Sequence, residues 1–269
     1  MRTLVITGGS SGIGKATASL FAERGWCVFE LSRHGKELAE GQNSEAESRI
    51  THIYCDVRDA NSVREAVETV LQLTDRLDVV ISNAGFGISG AIEFTDLREA
   101  ERQMDVNFMG AVRLVQAVLP QLRKQHGGRI IFTSSVAAQL AVPYQSFYSA
   151  SKAAINALAL ALANEVREFG IDVSVMMPGD VCTGFTDARS KSVAGQEVYN
   201  GAEKAITTME HDERNGMSPS QMARLFYHIA TCRNPRPQYI GGFSYRILCL
   251  LDRILPKRLV NWIEYKVYS

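Results

Sequence analysis

A glycine-rich segment between a short strand and a helix is the feature that most constrains the fold. Apolar residues 4–6 have a strand pattern, residues 13–24 have helical spacing, and between them the chain reads Thr7-Gly8-Gly9-Ser10-Ser11-Gly12-Ile13-Gly14. Glycine permits a sharp turn and a close approach of backbone to phosphate, and the following helix presents free N–H groups and its positive dipole end. Between a strand and a helix, this segment predicts a dinucleotide-binding turn.

The same residues come close to the phosphate-binding loop of nucleoside triphosphatases, in which two glycines four residues apart precede Lys and Ser or Thr. Gly9, Gly14 and Lys15 fit that pattern. Ala16, however, stands where that loop needs a hydroxyl for Mg²⁺. We therefore expect a dinucleotide rather than a nucleoside triphosphate at this turn.

Strand and helix patterns alternate along the rest of the chain. Strand patterns cover 27–31, 50–54, 77–81, 129–133 and 171–176, and helical patterns cover 60–73, 97–124 and 146–169. This alternation predicts an α/β fold with a doubly wound parallel sheet of about seven strands and helices on both faces. We expect one domain, 1–269, in which 184–232 form a helical insertion over the substrate and 243–269 an amphipathic extension.

Composition excludes several classes of protein. The chain has 269 residues with 29 basic and 29 acidic side chains, and 46% of its residues are hydrophobic. A disordered chain and a generally cationic nucleic-acid binder are therefore excluded. The five cysteines form no C-x-x-C or zinc-ligand spacing, so we expect reduced thiols, no metal site and a cytoplasmic location.

The residues after the second strand bear on which cofactor is bound. Ser32-Arg33 follows the strand at 27–31, and an arginine at this point suits the 2′-phosphate of NADP(H). Glu30 lies two residues earlier on the same strand face, where a carboxylate can bind the ribose hydroxyls of NAD(H). The sequence favours NADP(H) and leaves NAD(H) open.

A tyrosine and a lysine near the start of the helix at 146–169 suggest acid–base chemistry. Tyr148 and Lys152 are four residues apart and share a helix face. A nearby ammonium is expected to lower the tyrosine pKa, so that the phenol exchanges a proton with a substrate oxygen. Ser135 follows the strand at 129–133, at the edge where parallel sheets bind ligands.

Taken together, these motifs resemble the short, single-domain branch of the short-chain dehydrogenase/reductase family. The resemblance covers roughly residues 1–185 and rests on Thr7-Gly8-x-x-x-Gly12-x-Gly14, Asp56-Val57, Asn83-Ala84-Gly85, Asn107, Ser135, Tyr148-x-x-x-Lys152 and Pro178-Gly179 with Thr183. It implies a Rossmann-type fold, hydride transfer between NAD(P)(H) and a carbonyl or alcohol, and a homodimer or homotetramer.

The resemblance also implies roles for single residues. Tyr148 would be the acid in reduction, Lys152 would bind the nicotinamide ribose, Ser135 would bind the substrate oxygen, and Asn107 would hold a water linked to Lys152. Asp56 and Val57 would contact the adenine, the turn Asn83–Gly85 the adenine-side ribose, and Val181 and Thr183 the carboxamide. The expected cofactor-binding residues are Thr7, Gly8, Ser10, Ser11, Gly12, Ile13, Gly14, Ser32, Arg33, Asp56, Val57, Asn83, Ala84, Gly85, Tyr148, Lys152, Pro178, Gly179, Val181 and Thr183.

Residues that follow the strands predict the substrate class. The expected substrate-binding residues are Ser135, Ala137, Leu140, Tyr144, Tyr148 and Phe185. They are mainly apolar or aromatic, which favours NADPH-dependent reduction of a lipophilic carbonyl of steroid, retinoid or fatty type. Two alternatives are an NAD-dependent secondary-alcohol dehydrogenase and a non-enzymatic nucleotide sensor or scaffold, although the intact Tyr148 and Lys152 favour an enzyme.

The C-terminal segment is the most basic part of the chain. Residues 233–269 contain seven basic and two acidic side chains, and within 243–269 the basic residues alternate with apolar ones at helical spacing. This pattern is typical of a helix on an anionic membrane surface. It equally suits a helix packed on the core or on a partner subunit, so the role of the extension stays open.

Overall fold

The computed structural model describes residues 1–35, 46–192, 194–195 and 197–268. The strands within this part are β1 (Thr3–Thr7), β2 (Cys27–Ser32), β3 (Ile50–Tyr54), β4 (Val79–Ser82), β5 (Ile88–Ser89), β6 (Gly128–Thr133), β7 (Ile171–Pro178), β8 (Ser190–Lys191) and β9 (Gln238–Gly241). Seven of these form a sheet in the order β3-β2-β1-β4-β6-β7-β9, and all its neighbours are parallel. Because the winding direction reverses between β1 and β4, a ligand crevice opens there, at the carboxyl ends of the strands.

Helices cover both faces of this sheet. They are α1 (Gly12–Glu23), α2 (Ala60–Leu73), α3 (Leu97–Met104), α4 (Gly110–Lys124), α5 (Ser146–Glu165), α6 (Ala202–Arg214), α7 (Pro219–Thr231), α8 (Phe243–Ile254) and α9 (Lys257–Tyr268). One core contains Phe132, Leu114 and Ile155, and the core on the opposite face contains Phe21 and Phe226. This arrangement confirms the predicted α/β, doubly wound Rossmann-type fold.

The helix predicted over 97–124 contains an interruption. A π-helical turn at Asp105–Met109 separates α3 from α4. Such turns often occur at functional sites, because they displace one residue from the regular hydrogen-bond ladder. Here the displaced segment includes Asn107, which is buried beside the carboxyl edge of the sheet.

Helix α7 lies within the segment 184–232, which was expected to form a helical insertion over the substrate. It begins at a capping box in which Ser218 and Gln221 bond to each other's backbone N–H, and it packs on α1. Met222 and Phe226 are fully buried in that contact. Helix α7 is thus a crossover helix between β7 and β9, and only 184–214 can extend over the substrate; Val193 and Gln196 of this segment lie outside the described residues.

The C-terminal helix pair, α8 and α9, docks at the carboxyl edge of the sheet. The side-chain amide of Gln139 donates to the Cys249 carbonyl over 2.7 Å and to Asp252 Oδ2 over 3.0 Å. The Tyr245 hydroxyl donates to Asp180, which follows β7. No helix in the described ranges is long and apolar enough to cross a bilayer.

Candidate active site

The glycine-rich turn is held by close backbone contact. Gly8 has a φ of +66°, and a Cβ atom on Gly14 would lie 2.1 Å from the Gly8 carbonyl oxygen and 2.6 Å from Asn83 Nδ2. That Nδ2 donates to the carbonyls of Thr7 (3.3 Å) and Gly8 (3.1 Å). Thr7 and Gly14 therefore shape the turn without lining the cavity beside it.

The outer side of the turn faces a large cavity. Its lining includes Gly8, Ser10, Ser11, Gly12 and Ile13. Ser11, the N-cap of α1, makes no side-chain bond to the first turn of the helix. The first N–H groups of α1 therefore remain available to the phosphates of a dinucleotide, so these residues fit the predicted cofactor.

Glu30 lies beneath the turn rather than in the cavity. Its side chain is fully buried, and Oε2 accepts a bond from Ser32 Oγ (3.2 Å) and contacts His52 Nδ1 (3.0 Å). A Cβ atom on Gly9 would lie 2.5 Å from Glu30 Cγ. Arg33 and Ser32, in contrast, line the cavity.

The adenosine end of the cavity contains a second arginine that the sequence analysis missed. Arg58 lines the cavity with Asp56 and Val57, and its Nη2 lies 2.6 Å from Asp56 Oδ2. Hydrogen bonds from Arg58 hold the pKa of Asp56 below its usual value. The position of Arg58 two residues after Asp56 was the available signal. The adenosine end thus has two guanidinium groups, those of Arg33 and Arg58.

The remaining predicted cofactor residues extend the same cavity toward the catalytic group. They are Asn83, Ala84, Gly85, Pro178, Gly179, Val181 and Thr183. A Cβ atom on Gly85 would lie 3.5 Å from Lys152 Nζ, and one on Gly12 would lie 3.4 Å from Thr183 Cβ. Glycine at positions 85 and 12 therefore lets the backbone come close to Lys152 and to Thr183.

Ser135, Tyr148 and Lys152 line this cavity together. Ser135 lies near enough to Tyr148 to lower its pKa as a hydrogen-bonding neighbour, and Ser135 Oγ accepts from the Ala137 N–H over 3.1 Å. The Lys152 ammonium donates to the Thr133 carbonyl over 3.0 Å and lies 5.7 Å from the centroid of the Tyr148 ring. A carbonyl oxygen at the two hydroxyls would be positioned by Ser135 and would receive its proton from Tyr148.

Burial sets the protonation states of this group. Loss of hydration raises the pKa of Tyr148 to about 12, although the nearby Ser135 acts in the opposite direction. Loss of hydration also lowers the pKa of Lys152 to about 8. The expectation that Lys152 lowers the tyrosine pKa is therefore wrong for the chain alone, because desolvation outweighs it. Tyr148 is protonated at neutral pH, the state needed to donate a proton.

Asn107 joins the loop after β4 to helix α5 next to the candidate active site. It is buried, its Oδ1 accepts from the Phe86 N–H over 3.0 Å, and its Nδ2 donates to the Phe86 carbonyl and to Ser151 Oγ, both over 3.0 Å. Ser151 lies on α5 beside Lys152. These contacts position the loop after β4 against the catalytic helix, while the water-holding role of Asn107 stays a prediction.

The substrate end agrees with the expected residues except at Tyr144. Ala137, Leu140 and Phe185 line the cavity, and the Tyr148 and Phe185 rings lie 5.7 Å apart. Tyr144 instead lines a separate cavity with Tyr199, whose ring lies 6.3 Å away. The backbone of Tyr144 has a φ of +61°, and this left-handed turn belongs to a loop that carries the ring away from the catalytic group.

The C-terminal helix pair closes the cavity with side chains that the sequence analysis did not assign to it. The lining residues of this cavity of about 1040 Å³ include Leu248 and Leu251 of α8, Leu255 directly after that helix, and Ile263 and Val267 of α9. The helical spacing of these residues was visible, but the sequence does not say which face of each helix meets the sheet.

Carboxylates supply the polar part of the same wall. Asp180, Asp212, Glu213 and Glu264 line the cavity. Burial raises the pKa of Asp180 above its usual value, and Glu213 accepts a bond from Thr186 Oγ1 over 2.7 Å. Glu213 is also paired with the buried Arg189. The substrate end therefore combines apolar side chains with carboxyl groups, one of which is neutralised by an arginine.

Comparisons with known proteins agree with this geometry. The family model for short chain dehydrogenase matches residues 2–194. The chain is 40% identical over 235 residues to the 3-ketodihydrosphingosine reductase of Bacteroides thetaiotaomicron, covering 86% of this chain and 84% of that protein.

Solved structures have the same fold. A short-chain dehydrogenase from Streptomyces avermitilis matches with a TM-score of 0.82 and 27% identity, over 98% of this chain and 97% of its own. A short chain dehydrogenase/reductase from Burkholderia phymatum in complex with NAD matches with a TM-score of 0.81 and 23% identity, over 93% of this chain and 92% of its own. At that lower identity the likeness supports the fold alone.

The raised pKa of Tyr148 gives a direct test. We expect the absorbance difference near 295 nm between wild type and Tyr148→Phe to show no phenolate between about pH 7 and pH 10, because burial keeps this phenol protonated. The control is the same pair in denaturing urea, where a phenolate should appear with a pKa of about 10. A phenolate signal below pH 9 in the folded pair would contradict the argument from burial.

Proposed function

Because the chain belongs to the short-chain dehydrogenase/reductase family of oxidoreductases, we propose that it uses NADPH to reduce the ketone of a long-chain lipid. The observation that carries this proposal is the apolar wall of the cavity. Leu248 and Leu251 of α8 and Leu255 at its C-terminal end belong to that wall, and a wall of this kind accommodates an alkyl chain.

The chemistry follows from the residues at the closed end of the cavity. A bound nicotinamide supplies the hydride that reduces the carbonyl carbon. Ser135 binds and orients the carbonyl oxygen, and Tyr148 gives its hydroxyl proton to that oxygen as it becomes an alcohol. The pKa of Lys152 is about 8, so its side chain carries a positive charge at neutral pH. This charge stabilises the phenolate that forms when Tyr148 gives up its proton.

The charge of the cavity supports a substrate with an amine. Asp212 and Glu264 add carboxylates to the lining, which favours a protonated amine over a carboxylate or phosphate, whereas Glu213 is paired with the buried Arg189. The Bacteroides thetaiotaomicron relative is named for a substrate that combines a long alkyl chain, a ketone and a neighbouring amine. We propose 3-ketodihydrosphingosine, or a lipid of the same chemistry, as the substrate.

The preference for NADPH is supported by the charges at the adenosine end. Arg33 lines the cavity there, and a guanidinium group binds a phosphate well, whereas the neighbouring Arg58 is paired with Asp56. Glu30 is the carboxylate that could bind the ribose hydroxyls of NAD(H), but it is buried beneath the turn and bonded to Ser32 and His52. The reductive direction is supported by Tyr148, which is protonated at neutral pH. The NAD-dependent alcohol oxidation is therefore the weaker alternative.

Arg33 provides the test of cofactor preference. We expect Arg33→Ala to raise the KM for NADPH by roughly 10- to 100-fold, because one charge-assisted hydrogen bond is lost. The KM for NADH should stay within about twofold of the wild-type value. Arg64→Ala, an exposed arginine on α2 bonded to Asn61, is the matched control and should change neither value. Equal changes for both cofactors after Arg33→Ala would refute a 2′-phosphate contact.

Turnover of a long-chain keto amine tests the proposed activity. We expect NADPH oxidation with 3-ketodihydrosphingosine, and kcat lower by about 100- to 10,000-fold in Tyr148→Phe, because the proton donor is lost. The dissociation constant for NADPH should stay within about twofold. Tyr144→Phe, which removes a hydroxyl outside the cavity, is the matched control and should retain turnover.

The N-acetylated form of the same lipid separates the amine from the alkyl chain. It keeps the chain and the ketone but loses the positive charge, so the lining carboxylates predict a lower kcat/KM for it. Turnover of neither compound, or full turnover by Tyr148→Phe, would reject the proposed function.

A further inference from the structure

We propose that the outer face of the C-terminal helix pair binds the surface of an anionic lipid bilayer, with α8 and α9 lying in the interface. This inference is independent of the proposed substrate. It rests on the arrangement of apolar and basic side chains on the two helices and on where each helix is docked.

Helix α8 presents its apolar stripe outward. Phe243, Ile247, Leu250 and Ile254 follow one another at intervals of four, three and four residues, so they share a face. All four are exposed, Phe243 by 78% and Ile254 by 69%. The inward face carries Tyr245, Cys249 and Asp252, which make the docking contacts with the sheet edge. An ordinary surface helix has the opposite polarity, with polar residues outward.

Helix α9 continues this surface. Its inward face is formed by Val260, Glu264 and Tyr268, at intervals of four residues. The opposite face exposes Leu259 and Trp262, the latter by 58%. Tryptophan is amphipathic and is enriched at the level of lipid headgroups. The outer faces of the two helices therefore expose six large apolar side chains, more than the scattered exposure normal for a monomer.

The charges around this surface select an anionic partner. Arg246, Arg253, Lys257, Arg258 and Lys266 are exposed on the two helices. Asp252 is buried and offsets one of these cations, Lys257, to which it is bonded, and Glu264 lines the cavity, so Arg246, Arg253, Arg258 and Lys266 remain as the surface charge. Apolar stripes flanked by Arg and Lys are the pattern of a helix in the interface of an anionic membrane.

A second copy of the chain is a poorer occupant of the same surface. Symmetric pairing would bring the same four cations of each copy together, Arg246, Arg253, Arg258 and Lys266, which costs free energy without any exposed carboxylate on these helices to offset it. A bilayer rich in acidic lipids provides the opposite charge and an apolar layer in one partner.

The surface adjoins the apolar cavity. Leu248 and Leu251 line the cavity from the same helix whose Ile247 and Leu250 belong to the outer stripe. The helix pair thus separates the cavity from the proposed membrane by one helix thickness, a position suited to a water-insoluble substrate.

Vesicle flotation of the full chain tests the proposal. We expect the wild type to float with vesicles of phosphatidylcholine mixed with phosphatidylglycerol, and at least about tenfold less with phosphatidylcholine alone. Phe243→Ser/Ile247→Ser/Trp262→Ser should lose flotation, because it removes apolar side chains that lie outside the cavity. Arg258→Gln/Lys266→Gln should lose part of the preference for acidic lipid.

The matched control removes exposed apolar side chains from another face. Leu73→Ser/Leu97→Ser alters residues exposed by 60% and 69% and should float as the wild type does. Circular dichroism and NADPH binding check that every variant is folded. A wild type that stays in solution with acidic vesicles, or a triple variant that floats equally well, overturns the proposal. If the wild type does not float but is a dimer in sedimentation equilibrium, and the triple variant is a monomer, the surface binds a second copy of the chain instead.

Discussion

One carboxamide holds together the carboxyl ends of three neighbouring strands. Asn83 Nδ2 donates to the carbonyls of Thr7 and Gly8 at the end of β1, and Asn83 Oδ1 accepts from Thr133 Oγ1 over 3.2 Å at the end of β6. Each such bond contributes about 0.5–1.5 kcal/mol, and together they fix the crevice between β1 and β4. The glycine at position 14 is a consequence, because a Cβ there would lie 2.6 Å from the same amide.

The catalytic group depends on the same strand ends. The carbonyl of Thr133 receives the Lys152 ammonium, and two residues later Ser135 meets Tyr148. Asn107 joins the loop after β4 to α5 through Ser151. These contacts bring Lys152 and Ser135 to Tyr148, where loss of hydration raises the pKa of the phenol to about 12 and keeps it protonated at neutral pH. A protonated phenol is the form that gives a proton to a carbonyl oxygen, and this supports the proposed reductive direction.

Local patterns were sufficient to predict the sheet and to select Ser135, Tyr148 and Lys152, which line one cavity. The glycine turn, the strand at 50–54 and the Tyr148–Lys152 spacing each follow from a few neighbouring residues. Strand β9 was missed because its four residues are short and only partly buried, and the outward turn of Tyr144 depends on a left-handed backbone that its sequence does not signal. The inward faces of α8 and the burial that raises the Tyr148 pKa are properties of the packed molecule, which no local pattern contains.

The C-terminal helix pair gives this dehydrogenase/reductase an apolar cavity wall on one side and an apolar, basic surface on the other. That the wall holds an alkyl chain is tested most directly by kcat/KM for a homologous series of straight-chain ketones, measured with NADPH. Burial of about 0.8 kcal/mol per methylene predicts a rise of about fourfold for each added methylene until the chain fills the cavity. A kcat/KM that is independent of chain length, or that falls as the chain grows, would contradict the assignment of these helices to a lipid substrate.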